Sequence, residues 1–453
     1  MKDNPWADRF GCAWSDPELD QLINIPAQQL LLGERSIEVD SLALRAGLQS
    51  FFISSEQIRL VVRQLYDAGY AHSNQHFTSI DQVVNGLYSV SPWQNTDKCK
   101  AICLTGLAGV GKSALIAAWR RIMPAPVPVG LPGIHGIRLV AAWFLNLRDG
   151  ASPNALLRPW IEPTSEIRSD LTDMTVSRIK DKHLKDLLPL SRRIAWRDGV
   201  CLLFIDEFQF ITASTVANAR AANVLLQMMG LGPQVVFCAN FSLVHRLRRR
   251  DQPERDRFLA SPTVVLPERQ GSLDWKKLLE ECKKVAPDVF DFAVEDVSEI
   301  IHQYTFGIKR KVVELLTGAY RLARLRSIHA VVGLDTLKIA YLSTGYTMHR
   351  EDVEILWKQQ IGKVQIREDL CCPFDLNEDP TNVTFARAAI DQYEKRIDDA
   401  ILESSLTPRE ADALMRLKPE VKSKSLAKVI RMPRQKVTKE SLIAAGKALD
   451  GSF

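Results

Sequence analysis

The sequence has no apolar run near the roughly 18 residues that a membrane-spanning helix needs. Its first ten residues include charged side chains and a tryptophan, unlike a signal peptide. Charge of one sign is hardly in excess, because 59 Lys and Arg against 54 Asp and Glu leave +5. That balance allows contact with nucleic acid without giving the chain a basic tail. We therefore expect an intracellular, cytoplasmic protein with no membrane partner.

The eight cysteines include no short Cys-x-x-Cys pair, the commonest half of a structural zinc site. His72 and His76 are four residues apart, as are Cys99 and Cys103, so zinc stays an alternative. Cys103 lies in an apolar run, where a reduced thiol packs as a small hydrophobe. We favour packing over zinc, and we expect reduced thiols and no disulfides.

The sequence also lacks internal repeats and low-complexity tracts, and its composition is that of an ordinary globular protein. Between about residues 98 and 270, short apolar strands alternate with longer helices. This alternation predicts a parallel sheet covered by helices. The predicted strands are 101–104, 137–145, 201–205, 235–239 and 263–266.

The rest of the chain has helical spacing. Residues 56–68 form the clearest early helix, which Gly69 is predicted to end. Further helices are predicted at 275–284, 294–304, 308–325 and 336–342. We expect four regions: an N-terminal partner-binding region (1–97), an α/β nucleotide-binding domain (98–270), an all-helical lid (271–371), and a linker with a helical C-terminal segment (372–453).

Residues 106–113 match the pattern G-x-x-x-x-G-K-[ST], between a predicted strand and a predicted helix. Glycines let backbone N–H groups turn toward phosphates, and a helix N-terminus favours an anion. Lys112 is predicted to reach the β and γ phosphates of ATP, and the Ser113 hydroxyl to bind Mg²⁺. The predicted nucleotide contacts are Gly106, Gly109, Val110, Gly111, Lys112, Ser113 and Ala114.

A pair of carboxylates ends the predicted strand 201–205. Asp206 is expected to hold Mg²⁺, and Glu207 to polarise the attacking water, which favours hydrolysis over binding alone. The alternative for this acidic pair is a simple cap on the next turn. Together with the glycine-rich loop, the pair predicts a Mg²⁺-dependent ATPase.

Three more polar residues extend this site. Asn240 follows the strand 235–239, where its amide could orient the lytic water. Arg257 precedes the last strand, where it could reach a neighbouring subunit's γ-phosphate; Phe258 beside it favours Arg257 over Arg255, and a solvated charge run is the alternative. Arg310 opens a lid helix as a candidate nucleotide sensor, with Lys309 and Lys311 as the alternatives.

This order of motifs resembles the AAA+ ATPases. Within them, residues 204–209 (FIDEFQ) are similar to the Asp-Glu-x-Gln or Asp-Glu-x-His block of the TnsC and TniB family, ATPases that regulate target choice in bacterial transposition. Residues 3–6 and 56–70 are similar to segments upstream of the loop in that family. The resemblance implies ATP-dependent rings or helical filaments on double-stranded DNA, contact with a target-selecting protein, and recruitment of transposase subunits.

Basic residues at 178–185 and at 192–197 could track DNA phosphates, or could form a solvated helix face. Residues 425–442 read as helix, break and helix, similar to a helix-turn-helix without the usual turn glycine. This C-terminal segment is expected either to bind DNA or to dock on a transposase.

A second class of function stays open, namely a signalling or defence ATPase of the STAND or AAA+ type that switches its oligomeric state without DNA. A nucleotide-binding scaffold with negligible turnover is a third alternative, against which Glu207 and Asn240 argue. No triad of acids typical of a nuclease stands out, so strand cleavage is expected from a partner.

Overall fold

The structure is a computed structural model, and its described residues are 4–89, 92–93, 100–131, 134–147, 153–161, 184–206, 215–327, 329, 331–362 and 364–374. Within these ranges, no helix combines the length and the apolar character that crossing a membrane requires. Glu207, residues 162–183 and the predicted C-terminal helices lie outside them.

Five parallel strands form the central sheet. In spatial order they are β4 (Ala142–Asn146), β5 (Leu202–Asp206), β6 (Gln234–Ala239), β1 (Ile102–Gly106) and β7 (Ser261–Val265). Along β5, Leu203 and Ile205 lie in one apolar core, whereas Leu202 and Phe204 lie in the other. Successive side chains of a strand point to opposite faces, so both faces of this sheet are buried.

The prediction of one strand over residues 137–145 is wrong. The chain instead forms an antiparallel hairpin, β2 (Val127–Leu131) with β3 (Ile134–Leu139), and then enters the main sheet as β4. The N–H of Val140 donates to the carbonyl of Asp198 at 2.8 Å, and the carbonyl of Ala141 accepts from Cys201 at 3.1 Å. These bonds to a distant segment turn the chain between the two strands.

Helices cover the sheet. Those inside the α/β region are α6 (Lys112–Ile122), α7 (Pro153–Ile161), α8 (Leu184–Arg197), α9 (Thr215–Met229), α10 (Phe241–Arg248) and α11 (Gln252–Phe258). Those before β1 are α1 (Pro5–Asp8), α2 (Asp16–Ile23), α3 (Ile37–Ser50), α4 (Glu56–His76) and α5 (Ile80–Tyr88).

Helix α4 does not end at Gly69, contrary to the prediction. It continues to His76, and Gly69 lies in its interior. A Cβ added at Gly69 would come within 2.8 Å of the ring of Phe10. Because glycine has no side chain, the ring of Phe10 can pack directly against the helix at this position. A glycine inside a helix lowers its stability only modestly relative to alanine.

The segment before β1 is divided among three apolar cores. Trp6 and Phe77 join one face of the sheet, Phe10 joins the other face, and Leu44 and Phe51 join the core of the lid. None of the cores found among the described residues consists of this segment alone. The region bounds 1–97, 98–270, 271–371 and 372–453 stay a prediction.

Within the described ranges, five α-helices follow the sheet, and we call this helical region the lid. They are α12 (Leu273–Val285), α13 (Val294–Thr305), α14 (Lys309–Arg326), α15 (Leu334–Leu342) and α16 (Thr347–Gly362). The predicted α/β sheet followed by a helical region is therefore confirmed.

After the lid, residues 364–374 run back to the sheet domain, and we call this segment the strap. Its Glu368 forms an ion pair with Arg249 at the end of α10. The carbonyl of Cys371 lies 2.9 Å from Nε2 of His245, and Arg248 donates to the carbonyl of Pro373. The strap thus connects the last lid helix to α10.

Candidate active site

The glycine-rich loop, residues 106–113, leaves the carboxyl end of β1 and enters α6. Gly106, Gly109 and Gly111 have φ values of 156°, 88° and 113°, which favour glycine. A Cβ at Gly106 would lie 2.3 Å from the carbonyl oxygen of Val265 on the neighbouring strand. The loop conformation therefore depends on glycine for both backbone and packing reasons.

Lys112 is the first residue of α6, and its ammonium group lies at the loop. Nζ donates to the carbonyls of Gly106 at 2.8 Å and of Leu107 at 2.9 Å. The charge also lies close enough to Cys103 and Cys238 to lower their pKa values, although burial outweighs it and raises both. The predicted phosphate-binding cation is thus held at the carboxyl edge of the sheet.

Asp206 ends β5 at the same edge, beside the adjacent strand β6. Burial and the nearby Asp206 carboxylate raise the pKa of the Cys238 thiol on β6, because both favour the neutral thiol. Ser113 is exposed in the first turn of α6. A carboxylate and a hydroxyl at one edge, near a loop suited to phosphates, are oxygen donors of the kind that Mg²⁺ takes.

Glu207, which is predicted to activate the water, lies outside the described residues, so its role stays a prediction. Asn240 follows β6, and its side-chain oxygen accepts from the N–H of Leu243 at 3.0 Å. Asn240 is therefore the N-cap of α10. Its role toward a lytic water stays a prediction.

Arg257 lies in α11, exposed to solvent, beside the fully buried Phe258. Its carbonyl accepts from the N–H of Ala101 at 2.8 Å, just before β1 begins. Since the loop leaves β1 at the other end, about 15 Å of strand separates the two. Arg257 thus lies away from its own chain's loop, as a group acting on a neighbouring subunit must. Arg255 is also exposed, with Asp256 at 3.7 Å, so the choice between the two arginines stays open.

Arg310 lies where the lid meets the loop. Its N–H lies 3.3 Å from the carbonyl of Gly109, and a Cβ added to Gly109 would come 2.6 Å from Cβ of Arg310. The side chain of Arg310 is exposed. A cation from the lid therefore lies directly over the predicted phosphate-binding loop.

The two basic neighbours of Arg310 have other contacts. Nζ of Lys309 donates to the carbonyl of Phe51 at 2.6 Å and lies 4.0 Å from the centre of its ring. Nζ of Lys311 is buried and lies 3.0 Å from a carboxylate oxygen of Asp352. Of these three consecutive cations, Arg310 is the one directed to the loop.

A cavity next to the loop was not predicted from the sequence. Residues 52–55, Val110, Glu268, Gly307 and Lys309 are among its lining. Burial raises the pKa of Glu268 to about 7 and lowers that of Lys309 to about 8. The lining comes from the segment before α4, from the connection after β7 and from the lid, and no motif in the sequence links these distant segments.

The alternative zinc set is also placed in part. The rings of His72 and His76 lie with their centres 4.4 Å apart and their planes tilted by 37°. Cys103 is buried in β1, whereas Cys99 lies outside the described ranges. Across the part of the chain that the structure describes, no three His, Cys, Asp or Glu side chains group as metal ligands would.

The order of the strands decides the fold. The loop-bearing strand β1 lies between β6 and β7, and β6 separates it from β5, which ends in Asp206. The chain has the AAA+ P-loop fold. No protein-family model matches the sequence, and no curated protein matches it.

Three solved structures are similar to this chain, each with a low TM-score. The Aeropyrum pernix ORC1 protein in complex with DNA has 17% identity and a TM-score of 0.36, over 74% of this chain and 81% of that one. AMPPCP-bound DnaA from Aquifex aeolicus has 13% identity and a TM-score of 0.32, over 81% of this chain and 96% of that one. Domain III of DnaA from Thermotoga maritima has 14% identity and a TM-score of 0.31, over 57% of this chain and 88% of that one.

Proposed function

We propose that this chain binds ATP with Mg²⁺ at residues 106–113 and hydrolyses it. The observation that carries the proposal is the meeting of three groups at one edge of the sheet: Lys112 in the loop, Asp206 at the end of β5, and Arg310 over Gly109. Two cations and a carboxylate around a loop of backbone N–H groups suit a triphosphate with its metal.

Each residue then has a separate task. Lys112 exchanges its bonds with the loop carbonyls for bonds to the β and γ phosphates, and the N-terminus of α6 adds its partial positive charge. Ser113 and Asp206 hold Mg²⁺, which neutralises phosphate charge. Glu207 accepts a hydrogen bond from the attacking water, and Asn240 orients that water with the part of its amide that does not cap α10.

The active form in this proposal is an oligomer. Arg257, exposed and far from its own loop, supplies positive charge to the γ-phosphate bound by a neighbouring subunit. Such sharing makes hydrolysis depend on assembly into a ring or filament.

The finer part of the proposal is a role in transposition. The FIDEFQ block at residues 204–209 and the upstream segments are similar to TnsC and TniB proteins, and a net charge of +5 permits DNA contact. The ATP-bound oligomer would bind double-stranded DNA and connect a target-selecting protein to transposase subunits. Arg193, exposed on α8, is a described residue available for phosphates.

Calorimetry with a slowly hydrolysed ATP analogue tests the nucleotide site. Lys112→Ala should abolish binding, because it removes the point charge at the loop, whereas Lys277→Ala on an exposed part of α12 should bind like the wild type. Glu207→Gln should bind ATP and fail to hydrolyse it. Equal affinity of the wild type and Lys112→Ala would contradict the assignment of the loop.

Fluorescence anisotropy of a labelled duplex tests the DNA part separately. Binding should require the ATP analogue, show little sequence preference and weaken with salt, with a log–log slope of roughly 0.9 per neutralised phosphate. ADP and nucleotide-free samples are the controls. Nucleotide binding without any DNA binding at low salt would reject the transposition role and favour the signalling ATPase.

A further inference from the structure

Arg310 depends on its neighbours for its position over the loop. It lies in the first turn of α14, where few bonds within the helix hold the backbone. The next residue, Lys311, is 6% exposed and donates to the carbonyl of His349 at 3.2 Å and to Oδ2 of Asp352 at 3.0 Å. Both acceptors belong to α16, so α16 anchors the start of α14.

Asp352 is in turn held by the strap. Its Oδ1 accepts from Nη1 of Arg367 at 2.7 Å. The remaining guanidinium nitrogens of Arg367 donate to Asp369, with Nε 3.0 Å from Oδ1 and Nη2 2.6 Å from Oδ2. A continuous chain of charges therefore runs from Asp369 through Arg367 and Asp352 to Lys311.

The strap also contacts the site through apolar side chains. Its Leu370 and Cys372 pack against a small cluster that contains Leu107 of the glycine-rich loop, Phe241 and Ile308. Phe241 follows Asn240 directly, and Ile308 is the residue before α14. Through this one cluster, the strap packs against the loop, the first residue of α10 and the residue before α14.

Stability alone is a weak reason for this arrangement. The side chain of Arg367 is 41% exposed, and those of Asp352 and Asp369 are 29% and 42% exposed. Ion pairs this open to water contribute little to the free energy of unfolding. Their geometry, with Arg367 bonded to two carboxylates, is better suited to holding a neighbour in one orientation.

We propose that Arg367 is a positioning residue for the ATP site, which acts through Asp352 and Lys311 to hold Arg310 over residues 106–113. The proposal rests on the ATP-binding function proposed above. Arg367 itself does not touch the nucleotide in this arrangement. It affects the affinity for ATP by limiting the directions in which the side chain of Arg310 can extend from α14.

The test is a double-mutant cycle on the full chain, with the affinity for a slowly hydrolysed ATP analogue as the readout. As a single substitution, Arg367→Gln should weaken binding of the analogue on the order of fivefold relative to the wild type. In an Arg310→Ala background, the same change should have no further effect, because the residue it positions is gone. Arg367→Lys should recover part of the affinity, since it keeps a donor for Asp352.

The control is Arg249→Gln, which removes the other ion pair of the strap, with Glu368, and leaves the charges next to Arg310 intact. It should bind the analogue like the wild type. Undiminished binding by Arg367→Gln would overturn the proposal, as would an equal loss in the Arg310→Ala background or in Arg249→Gln. If the wild type binds no analogue at all, the proposed ATP function fails and this inference fails with it.

Discussion

Acidification should destabilise this protein through one buried histidine. His72 lies in α4, 7% exposed, with Nε2 3.1 Å from the carbonyl of Gly232. Its Nδ1 has no hydrogen-bond partner among the described residues. The ring of His76 lies 4.4 Å away and Trp93 covers another side at 5.5 Å. A proton added to this ring would carry an unpaired charge into an aromatic core.

The size of the effect follows from the pKa of His72. Burial, and then the neighbouring His76 and Arg9, lower it from 6.5 to about 3. As the pH falls, His72 therefore binds a proton in the unfolded chain before it does so in the folded protein. The free energy of unfolding is not reduced by this group above pH 6.5, and it decreases progressively below that pH. Each pH unit below 6.5 costs about 1.4 kcal/mol, which gives about 2 kcal/mol between pH 7 and pH 5.

Urea unfolding followed by tryptophan fluorescence measures this loss. We expect the free energy of unfolding of the wild type to fall by about 2 kcal/mol more than that of His72→Gln between those two pH values. Groups distant from His72 titrate alike in both proteins, so the difference reports on His72 together with its neighbour His76. His329→Gln, at an exposed position, is the matched control and should behave like the wild type. Identical pH dependence in the wild type and His72→Gln would refute the reasoning.

Two further predictions follow from the site and the fold. Arg257→Ala should bind ATP but lose turnover, and mixing it with Lys112→Ala should restore some activity, because each variant supplies what the other lacks at a shared interface; ATPase rates of the mixtures check this, and wild-type turnover by Arg257→Ala would move the role to another arginine. Gly69→Ala should destabilise the protein by roughly 1–3 kcal/mol, because the added methyl group would overlap with Phe10. Gly318→Ala, whose added Cβ would have its nearest neighbour 3.9 Å away, should stabilise the protein by up to about 1 kcal/mol. Denaturant midpoints measure both changes, and an equal destabilisation by the two variants would contradict the packing argument.

Local patterns were enough to predict the loop and four of the five strands of the main sheet, whereas the segment 137–145 was wrongly predicted as one strand. The strand before residue 106, the glycines and the helix after Lys112 are all neighbours in the sequence, and each position has one strong physical demand. The apolar run ending at Asp206 likewise needed no distant information. These are the parts of the fold where local preference and tertiary structure agree.

Local patterns were insufficient where distant residues decide. A glycine such as Gly69 is typical of a helix end, but here the ring of Phe10 packs against it in the interior of α4. The sequence around Arg310 offers three basic residues in a row, and only the contacts of Lys309 with Phe51 and of Lys311 with Asp352 select among them. Such choices depend on partners tens to hundreds of residues away in the chain.

The division of the N-terminal segment among three cores limits how this chain could be rearranged in evolution. Removing the residues before β1 would withdraw Phe10 from the sheet and Leu44 and Phe51 from the lid, and would open both cores to water. Among the described residues, a piece that begins at β1 would therefore lack part of both cores, so recombination could not transfer it to another protein with these cores intact. Surface positions of this segment, such as the exposed Leu31 and Leu42, can instead vary without opening a core.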